Sequence, residues 1–387
     1  MTKITDIPAI RFKGFSDTWE QRKFSELVQI ERGGSPRPID DFITDAPNGL
    51  NWVKIGDAPT QGNYITKTAE KIRPEGLPKT REVHPGDLIL SNSMSFGKPY
   101  IMGIDGCIHD GWLLIRNTYG VFDLTFLCHL LGTPQMLSQY RSLAAGSTVN
   151  NLNKELVGNI YVTIPSITEQ RVLGAYLEQL DNLITLHQRK YDKLTNVKKS
   201  MLEKMFPQNG SNVPEIRFKG FTEAWEQRKL GEIGSVSMCR RIFKEQTSEN
   251  GEIPFYKIGT FGGEADAFIS RELFEEYKAK YQYPKKGDIL ISASGSIGRT
   301  VVFTGKNEYF QDSNIVWLNH DKHLDNSFLK CFYSIVKWAG IEGSTIKRLY
   351  NDNILNTAIT LPSVEEQQKI GAYFENLDNL ITLHQCE

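Results

Sequence analysis

The sequence predicts an α+β protein in which two pseudo-repeated globular domains alternate with two long helices that form an antiparallel coiled coil. Residues 8–27 and 214–233 are identical at 13 of 20 positions, and residues 164–188 and 361–385 at 17 of 25. Between these shared blocks the two halves differ widely. Since a chain of 387 residues exceeds the usual limit for one hydrophobic core, the repeat divides it into two units of about 200 residues each.

The bulk composition is that of an ordinary folded protein, with 40% hydrophobic and 24% charged residues. No apolar run approaches the length of a membrane span, and the N-terminal residues lack the apolar core of a signal peptide. We therefore expect a cytoplasmic protein with no membrane partner. The five cysteines are scattered and never spaced as CxxC, so they predict neither a disulfide framework nor a zinc site: Cys107, Cys128, Cys239, Cys331 and Cys386.

The charge balance bears on any nucleic-acid function. The formal net charge is -1 at pH 7, whereas a small DNA-binding domain usually carries a basic surplus. A DNA-binding role would therefore need cations gathered on one face of the chain, or cations supplied by partner subunits.

The second shared block predicts the two long helices. Ser166 with Glu169, like Ser363 with Glu366, matches the capping box that begins a helix. The first helix is expected from about residue 166 to 206, before Pro207, and the second from 363 to 387. Apolar positions recur every seven residues in two interleaved series, as in a coiled-coil seam: Leu173, Leu177, Leu180, Ile184, His187, Tyr191, Leu194 and Met201 in the first helix, and Ile370, Phe374, Leu377, Ile381 and His384 in the second.

Two interpretations of these helices remain open. They pair antiparallel with each other, which the sustained heptad favours, or each packs only against its own domain. The second helix is the shorter, so the pairing would extend over roughly 36 Å.

The segments between the shared blocks read as mixed α and β structure. Residues 85–93 and 286–294 are predicted strands, residues 126–144 and 328–343 are predicted helices, and residues 207–215 are rich in turn formers. The expected domain boundaries are 1–163 for the first domain, 164–206 for the first long helix, 207–213 for a linker, 214–360 for the second domain and 361–387 for the second long helix.

Catalytic signatures are missing from the sequence. There is no GxxxxGK[ST] phosphate loop and no Pro-Pro pair of the kind that holds a target base in amino-methyltransferases. Glu276 and Lys278 with Asp266 loosely match a nuclease carboxylate set, but an amphipathic surface helix is favoured. His320 and His323 lack a third ligand nearby, which favours a surface turn. We therefore expect no catalysis, metal site or cofactor in this chain.

Two pairs of matched loops are candidates for ligand contact. Residues 91–99 (SNSMSFGKP) match 292–300 (SASGSIGRT), and residues 146–152 (GSTVNNL) match 343–349 (GSTIKRL). Hydroxyls, backbone N–H groups and a cation suit phosphate oxygens, and Asn, Lys and Arg read base edges. Ordinary strand-end turns remain the alternative. Together with nearby basic positions, the candidate residues are Lys54, Ser93, Ser95, Lys98, Ser147, Thr148, Asn150, Asn151, Arg240, Arg241, Lys257, Ser294, Ser296, Arg299, Ser344, Thr345, Lys347 and Arg348.

The first shared block interleaves basic and aromatic residues. Two interpretations are open: contact with nucleic acid, or an N-terminal arm that packs on its own domain or on a partner. The arm is favoured. The residues concerned are Arg11, Lys13, Arg22, Lys23, Phe12, Phe15 and Trp19.

With the motifs RFKGF…WEQRKL, GDLILS/GDILIS, GST and IPS-x-x-EQ…LDNLITLHQ, the chain resembles the specificity subunit of type I restriction-modification systems over essentially its whole length. The resemblance implies a noncatalytic subunit whose two target recognition domains each bind one half of a bipartite double-stranded DNA site. The coiled coil would set the spacer between the half-sites. Two S-adenosylmethionine-dependent adenine methyltransferase subunits and the motor-nuclease subunits would be the partners, and they would hold SAM, ATP and Mg²⁺.

Two other function classes compete with this reading. A helical adaptor that does not touch DNA would use the same long helices. A self-sufficient nuclease or methyltransferase is disfavoured by the missing catalytic motifs.

Overall fold

The computed structural model describes residues 8–92, 96–144, 151–208, 210–338 and 348–385. The chain divides into two compact units, Met1–His187 (unit 1) and Gln188–Glu387 (unit 2). Among the described residues, none of the helices combines the length and apolarity that crossing a membrane requires.

Unit 1 is a mixed α and β structure. Its sheets have the strand orders β2-β10-β7-β8-β4, β5-β3-β9-β6 and β1-β11. The strands are β1 (Glu20–Lys23), β2 (Gln29–Arg32), β3 (Leu50–Val53), β4 (Tyr64–Ile65), β5 (Glu70–Ile72), β6 (Arg81–Val83), β7 (Leu88–Ser91), β8 (Pro99–Met102), β9 (Gly106–Ile108), β10 (Trp112–Arg116) and β11 (Tyr161–Ile164). The helices are α1 (Leu124–Leu131), α2 (Pro134–Ala144), α3 (Lys154–Gly158) and α4 (Ile167–Lys204), the last of which continues into unit 2.

Unit 2 repeats this plan with different insertions. Its sheets have the orders β13-β19-β16-β17, β15-β14-β18 and β12-β20. The strands are β12 (Glu226–Lys229), β13 (Gly234–Met238), β14 (Ile253–Tyr256), β15 (Phe268–Ile269), β16 (Ile289–Ser292), β17 (Thr300–Val302), β18 (Tyr309–Phe310), β19 (Ile315–His320) and β20 (Ala358–Leu361). The helices are α5 (Leu230–Ile233), α6 (Arg271–Lys280), α7 (Asn326–Ile335), α8 (Asn351–Asn356) and α9 (Val364–His384).

The central sheet of each unit is buried on both faces, which explains the continuous apolar runs GDLILS and GDILIS. In β7, Leu88 and Leu90 pack with the helices, whereas Ile89 packs toward the second sheet. In β16, Ile289 and Ile291 belong to the helix-side core and Leu290 to the other. The predicted strands at 85–93 and 286–294 are confirmed by β7 and β16.

The two predicted insert helices need correction. Residues 126–144 form two helices, α1 and α2, because Gly132 caps α1 and Pro134, which lacks an N–H, begins α2. Helix α7 ends at Ile335, where Val336 takes an extended conformation. Val336 and Trp338 then pack against the unit 2 core outside the helix.

The shared blocks of each unit pair with each other. Strand β1 pairs antiparallel with β11, with Glu20 opposite Ile164, and β12 pairs with β20, with Glu226 opposite Leu361. Each pair leads directly into a long helix. The blocks that repeat in sequence therefore form one repeated structural frame, made of residues 8–27 with 164–188 in unit 1 and residues 214–233 with 361–385 in unit 2.

A buried ion pair closes each frame. The Arg11 guanidinium donates two hydrogen bonds of 2.7 Å to the Glu169 carboxylate, and Arg217 donates two of 2.7 and 2.8 Å to Glu366. Both glutamate side chains are only 1% exposed. The predicted capping box is therefore only half formed. Ser166 accepts a hydrogen bond from the Glu169 N–H, but the Glu169 side chain binds Arg11 instead of a backbone N–H. A charge-assisted bidentate pair is stronger than a hydrogen bond to a neutral N–H.

The residues that follow the glutamate fix the next helix pair. Gln170 accepts a hydrogen bond from the Asp123 N–H at 3.0 Å, and Asp123 is the N-cap of α1. Gly174 lets α4 approach this N-terminus, because a Cβ there would lie 2.5 Å from Asp123 Oδ1. In unit 2, Gly371 allows an even closer approach of α9 to α7, because a Cβ at this position would lie 1.7 Å from Ser327 Oγ.

The long helices lie close to the predicted bounds, as α4 and α9. Several seam residues pack on the core of their own unit: Leu173 in unit 1, and Leu194, Met201, Ile370, Phe374 and Leu377 in unit 2. Within unit 2 the C-terminal part of α4 also contacts α9, because Lys198 forms an ion pair with Asp378. Burial opposes ionisation of Asp378, but hydrogen bonds from Lys198 and Lys330 outweigh it and lower the pKa of that carboxyl.

The other predicted seam residues are less buried. Leu180 and Ile184 are exposed, whereas Leu177, His187, Tyr191, Ile381 and His384 are partly buried.

Candidate nucleic-acid interface

Four segments of unit 1 meet at one end of its central sheet. Ser91 at the end of β7 pairs with Trp112 at the start of β10, so the residues that follow β7 and precede β10 lie side by side. The Gly33 N–H donates to the Trp112 carbonyl at 2.9 Å, and the Leu152 N–H to the Asn92 carbonyl at 3.0 Å. We call residues 33–37, 92, 96–98, 109–111 and 151–152 loop cluster 1.

Asp110 organises the polar side chains of loop cluster 1. Its Oδ1 accepts a hydrogen bond from Ser35 Oγ at 2.8 Å and lies 2.9 Å from His109 Nε2. Its backbone carbonyl accepts from Asn92 Nδ2 at 2.8 Å, and Arg37 lies 3.9 Å from its other carboxylate oxygen. Burial lowers the pKa of His109, an effect that Asp110 partly opposes. The imidazole is therefore a neutral hydrogen-bonding group near pH 7.

Unit 2 assembles an equivalent cluster. Ser292 at the end of β16 pairs with Ile315 at the start of β19, and the Leu349 N–H donates to the Ala293 carbonyl at 2.8 Å. Strand β13 ends beside the start of β19, at Met238, so the residues after it reach the same end of the sheet. We call residues 239–241, 293–299, 311–314 and 348–349 loop cluster 2.

Loop cluster 2 is rich in arginine. The Arg240 guanidinium lies over the Tyr281 ring, 5.2 Å from its centroid, and Arg241 over the Phe243 ring at 5.5 Å. Both arginines are exposed. Stacking on an aromatic ring orients a guanidinium without neutralising it. Arg240 and Arg241 are therefore cations available to an external anion.

The other two arginines of loop cluster 2 bind backbone carbonyls. Arg299 Nη2 donates to the Gly262 carbonyl and Arg348 Nη2 to the Ser313 carbonyl, both at 3.1 Å. Ser313 has a positive φ of 51°, which marks a tight turn in the loop before β19. These bonds hold each guanidinium in place and leave several of its five N–H donors for other acceptors.

The described ends of the predicted serine–glycine segments make the same hydrogen bond in both units. The Lys98 N–H donates to Ser91 Oγ and the Arg299 N–H to Ser292 Oγ, each at 3.0 Å. Gly97 and Gly298 supply the positive φ that the turn needs. Both units thus place a basic residue directly after this glycine, a lysine in unit 1 and an arginine in unit 2.

The structure brings most of the described candidate residues into the two clusters. Lys98 and Asn151 lie in loop cluster 1, and Arg240, Arg241, Ser294, Ser296, Arg299 and Arg348 lie in loop cluster 2. Ser294 Oγ binds Asn314 Oδ1 at 2.8 Å. Eight further candidates lie outside the described residues: Ser93, Ser95, Ser147, Thr148, Asn150, Ser344, Thr345 and Lys347.

Two candidate lysines already have acidic partners. Lys54 forms an ion pair with Glu70, and Lys257 with Asp266 at 2.8 Å. All four side chains are at least 36% exposed, so these pairs hold their partners weakly. Neither lysine belongs to the loop clusters defined above.

Sequence reasoning missed the loop between β9 and β10 in unit 1 and the loop between β18 and β19 in unit 2. Asp110 in unit 1 and Asp312 with Asn314 in unit 2 were not among the candidates. Each of these loops follows a short buried strand and precedes a long apolar one, and both contain an aspartate. That shared aspartate is the signal that could have identified them.

The basic residues of the first shared block mostly have structural contacts, as the arm interpretation predicted. Arg11 and Arg217 bind buried glutamates, and Arg22 binds Glu20 and Glu26, both at 3.2 Å. The ring of Phe12 packs edge-on against Tyr176 on α4. This block stabilises the frame.

The described residues show no metal-binding arrangement. They contain no group of three or more His, Cys, Asp or Glu side chains that could hold an ion. Burial raises the pKa of Cys107 to about 11 and that of Cys331 to about 12, which keeps these thiols protonated. His323 binds Asp321 in a surface turn, and Glu276 lies on α6 paired with Lys280.

Comparison with known proteins decides the family. The family model described as "Type I restriction modification DNA specificity domain" matches residues 16–196 and 222–387, which is most of the chain. The chain belongs to this family. It is a specificity subunit of a type I restriction-modification system, the noncatalytic class of subunit that recognises DNA.

Individual relatives agree with this assignment. The specificity subunit is 60% identical over 158 residues to a Haemophilus influenzae protein provisionally named as a type I restriction enzyme specificity subunit, a match that covers 40% of this chain and 41% of that protein. It is 21% identical to the MjaVIII specificity subunit of Methanocaldococcus jannaschii, over 95% of this chain and 92% of that one. The fold matches the crystal structure of an S subunit from M. genitalium with a TM-score of 0.63 at 14% identity, covering 98% and 93% of the two chains.

Proposed function

We propose that each loop cluster of this specificity subunit reads one half of a bipartite double-stranded DNA target. The observation that supports the proposal is that the two clusters lie at equivalent ends of the central sheets of the two units. Loop cluster 1 offers a mixed hydrogen-bonding set around the Asp110 carboxylate, whereas loop cluster 2 offers four arginines. Two clusters at equivalent positions but with different side chains suit two half-sites of different sequence.

The long helices would set the separation of the half-sites. Helix α4 continues from one unit into the next, and its C-terminal part contacts α9 through the Lys198–Asp378 ion pair. An antiparallel coiled coil of α4 with α9 would act as a rigid spacer. Rigidity fixes how many base pairs lie between the two readers.

We propose the partners and cofactors that are typical of this subunit class. Two SAM-dependent adenine methyltransferase subunits would bind the specificity subunit, and motor-nuclease subunits would join them to cut unmodified DNA. SAM, ATP and Mg²⁺ would be held by those partners, since this chain offers no phosphate loop. The exposed apolar side chains of the long helices are candidate contacts for the partners: Tyr176, Leu180, Leu183, Ile184, Leu186, Leu380 and Leu383.

The first test separates the two half-sites. Arg299→Ala with Arg348→Ala should weaken binding to the target by about 1–3 kcal/mol for each base-edge pair lost and relax the second half-site alone. Asn151→Ala should do the same at the first half-site. The measurement is the methylated-adenine motif in cells that carry each variant.

Arg271→Ala is the matched control for this test. Arg271 is an exposed arginine of unit 2 that pairs with Glu252 outside the loop cluster. It should leave both half-sites unchanged. If all variants keep the full motif, the loop clusters are not the readers.

The second test addresses the spacer. Inserting seven residues into α4 near residue 187 keeps the heptad phase and lengthens the helix by roughly 10 Å. Because the base-pair rise is about 3.4 Å, the methylated motif should gain about three unspecified base pairs. A two-residue insertion, which breaks the phase, should instead reduce methylation. An unaltered spacer in the seven-residue variant contradicts the ruler role.

A further inference from the structure

Unit 2 carries a basic groove outside loop cluster 2. Residues 278–286, which are the last three residues of α6 and the segment after it, form this groove together with Phe303 and Gly305. Apart from Lys280, its cations are Lys278, Lys285, Lys286 and, on the adjoining turn, Lys306, all of them exposed. We call these four lysines, together with Tyr281, the lysine strip.

Aromatic rings position one lysine of the strip and the turn beside it. Lys278 Nζ lies 5.0 Å from the centroid of the Phe274 ring and 5.2 Å from that of Tyr283. Tyr283 Oη donates to the Glu308 carbonyl at 2.7 Å, which fixes the 303–309 turn against the groove. A Cβ at Gly305 would lie 3.2 Å from the Lys286 side chain, so Lys286 and Lys306 occupy neighbouring positions.

Close ion pairs do not neutralise the charge of the strip, although Glu308 interacts electrostatically with Lys306. In the described part of the chain none of its four lysines forms an ion pair, whereas nearby Lys280 is paired with Glu276. The whole chain has a net charge of only -1, so this accumulation of positive charge is a local feature. Such a cluster is the electrostatic footprint of a polyanion-binding surface.

The strip is continuous with loop cluster 2. Tyr281 is 43% exposed and carries the Arg240 guanidinium on its ring. Arg240 in turn belongs to loop cluster 2, and its carbonyl accepts from Tyr309 Oη at 3.1 Å. A duplex that contacts the arginines of loop cluster 2 would therefore reach cations beyond the reading loops.

The turn itself does not need the lysines. In both units an aspartate accepts from the backbone three residues earlier, Asp288 from the Lys285 N–H at 2.7 Å and Asp87 from the His84 N–H at 2.9 Å. Unit 1 has His84 and Pro85 at the positions of Lys285 and Lys286. The same fold thus forms with and without the two lysines.

We propose that the lysine strip binds the DNA phosphate backbone next to the half-site read by loop cluster 2, and so adds affinity without sequence information. This inference rests on the proposed function of the loop clusters. It differs from that function because phosphate contacts position the protein, whereas base contacts specify the sequence.

The test uses the specificity subunit assembled with its methyltransferase subunits and two duplexes, one with the target motif and one without it. In a plot of the logarithm of the DNA-binding constant against the logarithm of salt concentration, Lys285→Ala with Lys286→Ala should make the slope less steep by about 2. Each lost phosphate contact removes about 0.9 from the slope. The change should be equal on both duplexes, and the methylated motif should stay the same. Lys285→Arg with Lys286→Arg, which keeps the charge, should retain the original slope.

Three results would overturn the inference. The slope of the alanine variant equals that of the wild type, or the motif changes at the second half-site, or the variant loses its methyltransferase subunits, which would make the strip a protein-binding surface. These outcomes leave the proposed function standing, whereas a wild-type complex without sequence-preferring DNA binding would remove both.

Discussion

Replacing Arg217 by alanine is expected to destabilise unit 2 by about 3–5 kcal/mol, the range for breaking a buried ion pair. The Glu366 side chain is 1% exposed, and its carboxylate accepts both guanidinium bonds of Arg217. Without the arginine, a charge stays buried with no cation beside it. Urea unfolding of the whole chain, with hydrogen exchange followed in the amides of unit 2, measures the loss.

Two variants control this experiment. Arg228→Ala removes an exposed ion pair with Glu226 and should change stability little, because exposed pairs contribute little. Arg217→Met with Glu366→Leu removes both charges, and should recover most of the stability that Arg217→Ala loses. If Arg217→Ala unfolds at the same urea concentration as the wild type, the frame does not depend on this pair.

Gly371→Ala is expected to destabilise unit 2 by about 1–3 kcal/mol through overpacking. The added Cβ would lie 1.7 Å from Ser327 Oγ and 2.5 Å from Ser327 Cβ. Helix α9 must then move away from α7, which disturbs the core around Phe328 and Phe374. Thermal unfolding of the variant measures the cost.

A second substitution tests the cause of that cost. Ser327→Gly removes both clashing atoms, so the double variant should recover part of the loss, less the effect of adding glycine to a helix. Gly56→Ala provides a control, because a Cβ at Gly56 meets no atom within 4 Å. Equal stability of Gly371→Ala and the wild type would show that the two helices are not in tight contact.

The features that the sequence predicted well are those with a local pattern. Helix α4 was foreseen because the Ser166 cap, Pro207 and the heptad all lie within one segment. The strands β7 and β16 were foreseen from short runs of buried apolar residues. These signals depend on neighbours in the chain, so no tertiary information was needed.

The features that escaped prediction depend on distant residues. The Arg11–Glu169 bond joins positions 158 residues apart, and no spacing rule links them. The role of Gly174 needs the position of Asp123, which comes from another element. Loop clusters 1 and 2 form because the sheet order places the ends of non-consecutive strands together. The shared aspartate marks these loops in the sequence, but the contacts of Asp110 with Ser35 and Asn92 follow only from that order.

The closing contact of each frame joins residues of its own two shared blocks, Arg11 with Glu169 and Arg217 with Glu366. The intervening stretch can therefore be exchanged while this contact persists, provided that it keeps the aspartate that Gln170 or Gln367 binds. Genetic exchange between the two shared blocks of a unit would introduce a different intervening stretch into a frame that already folds. The architecture thus favours exchange of whole segments, in which sequence changes are confined to the residues between the two shared blocks of each unit.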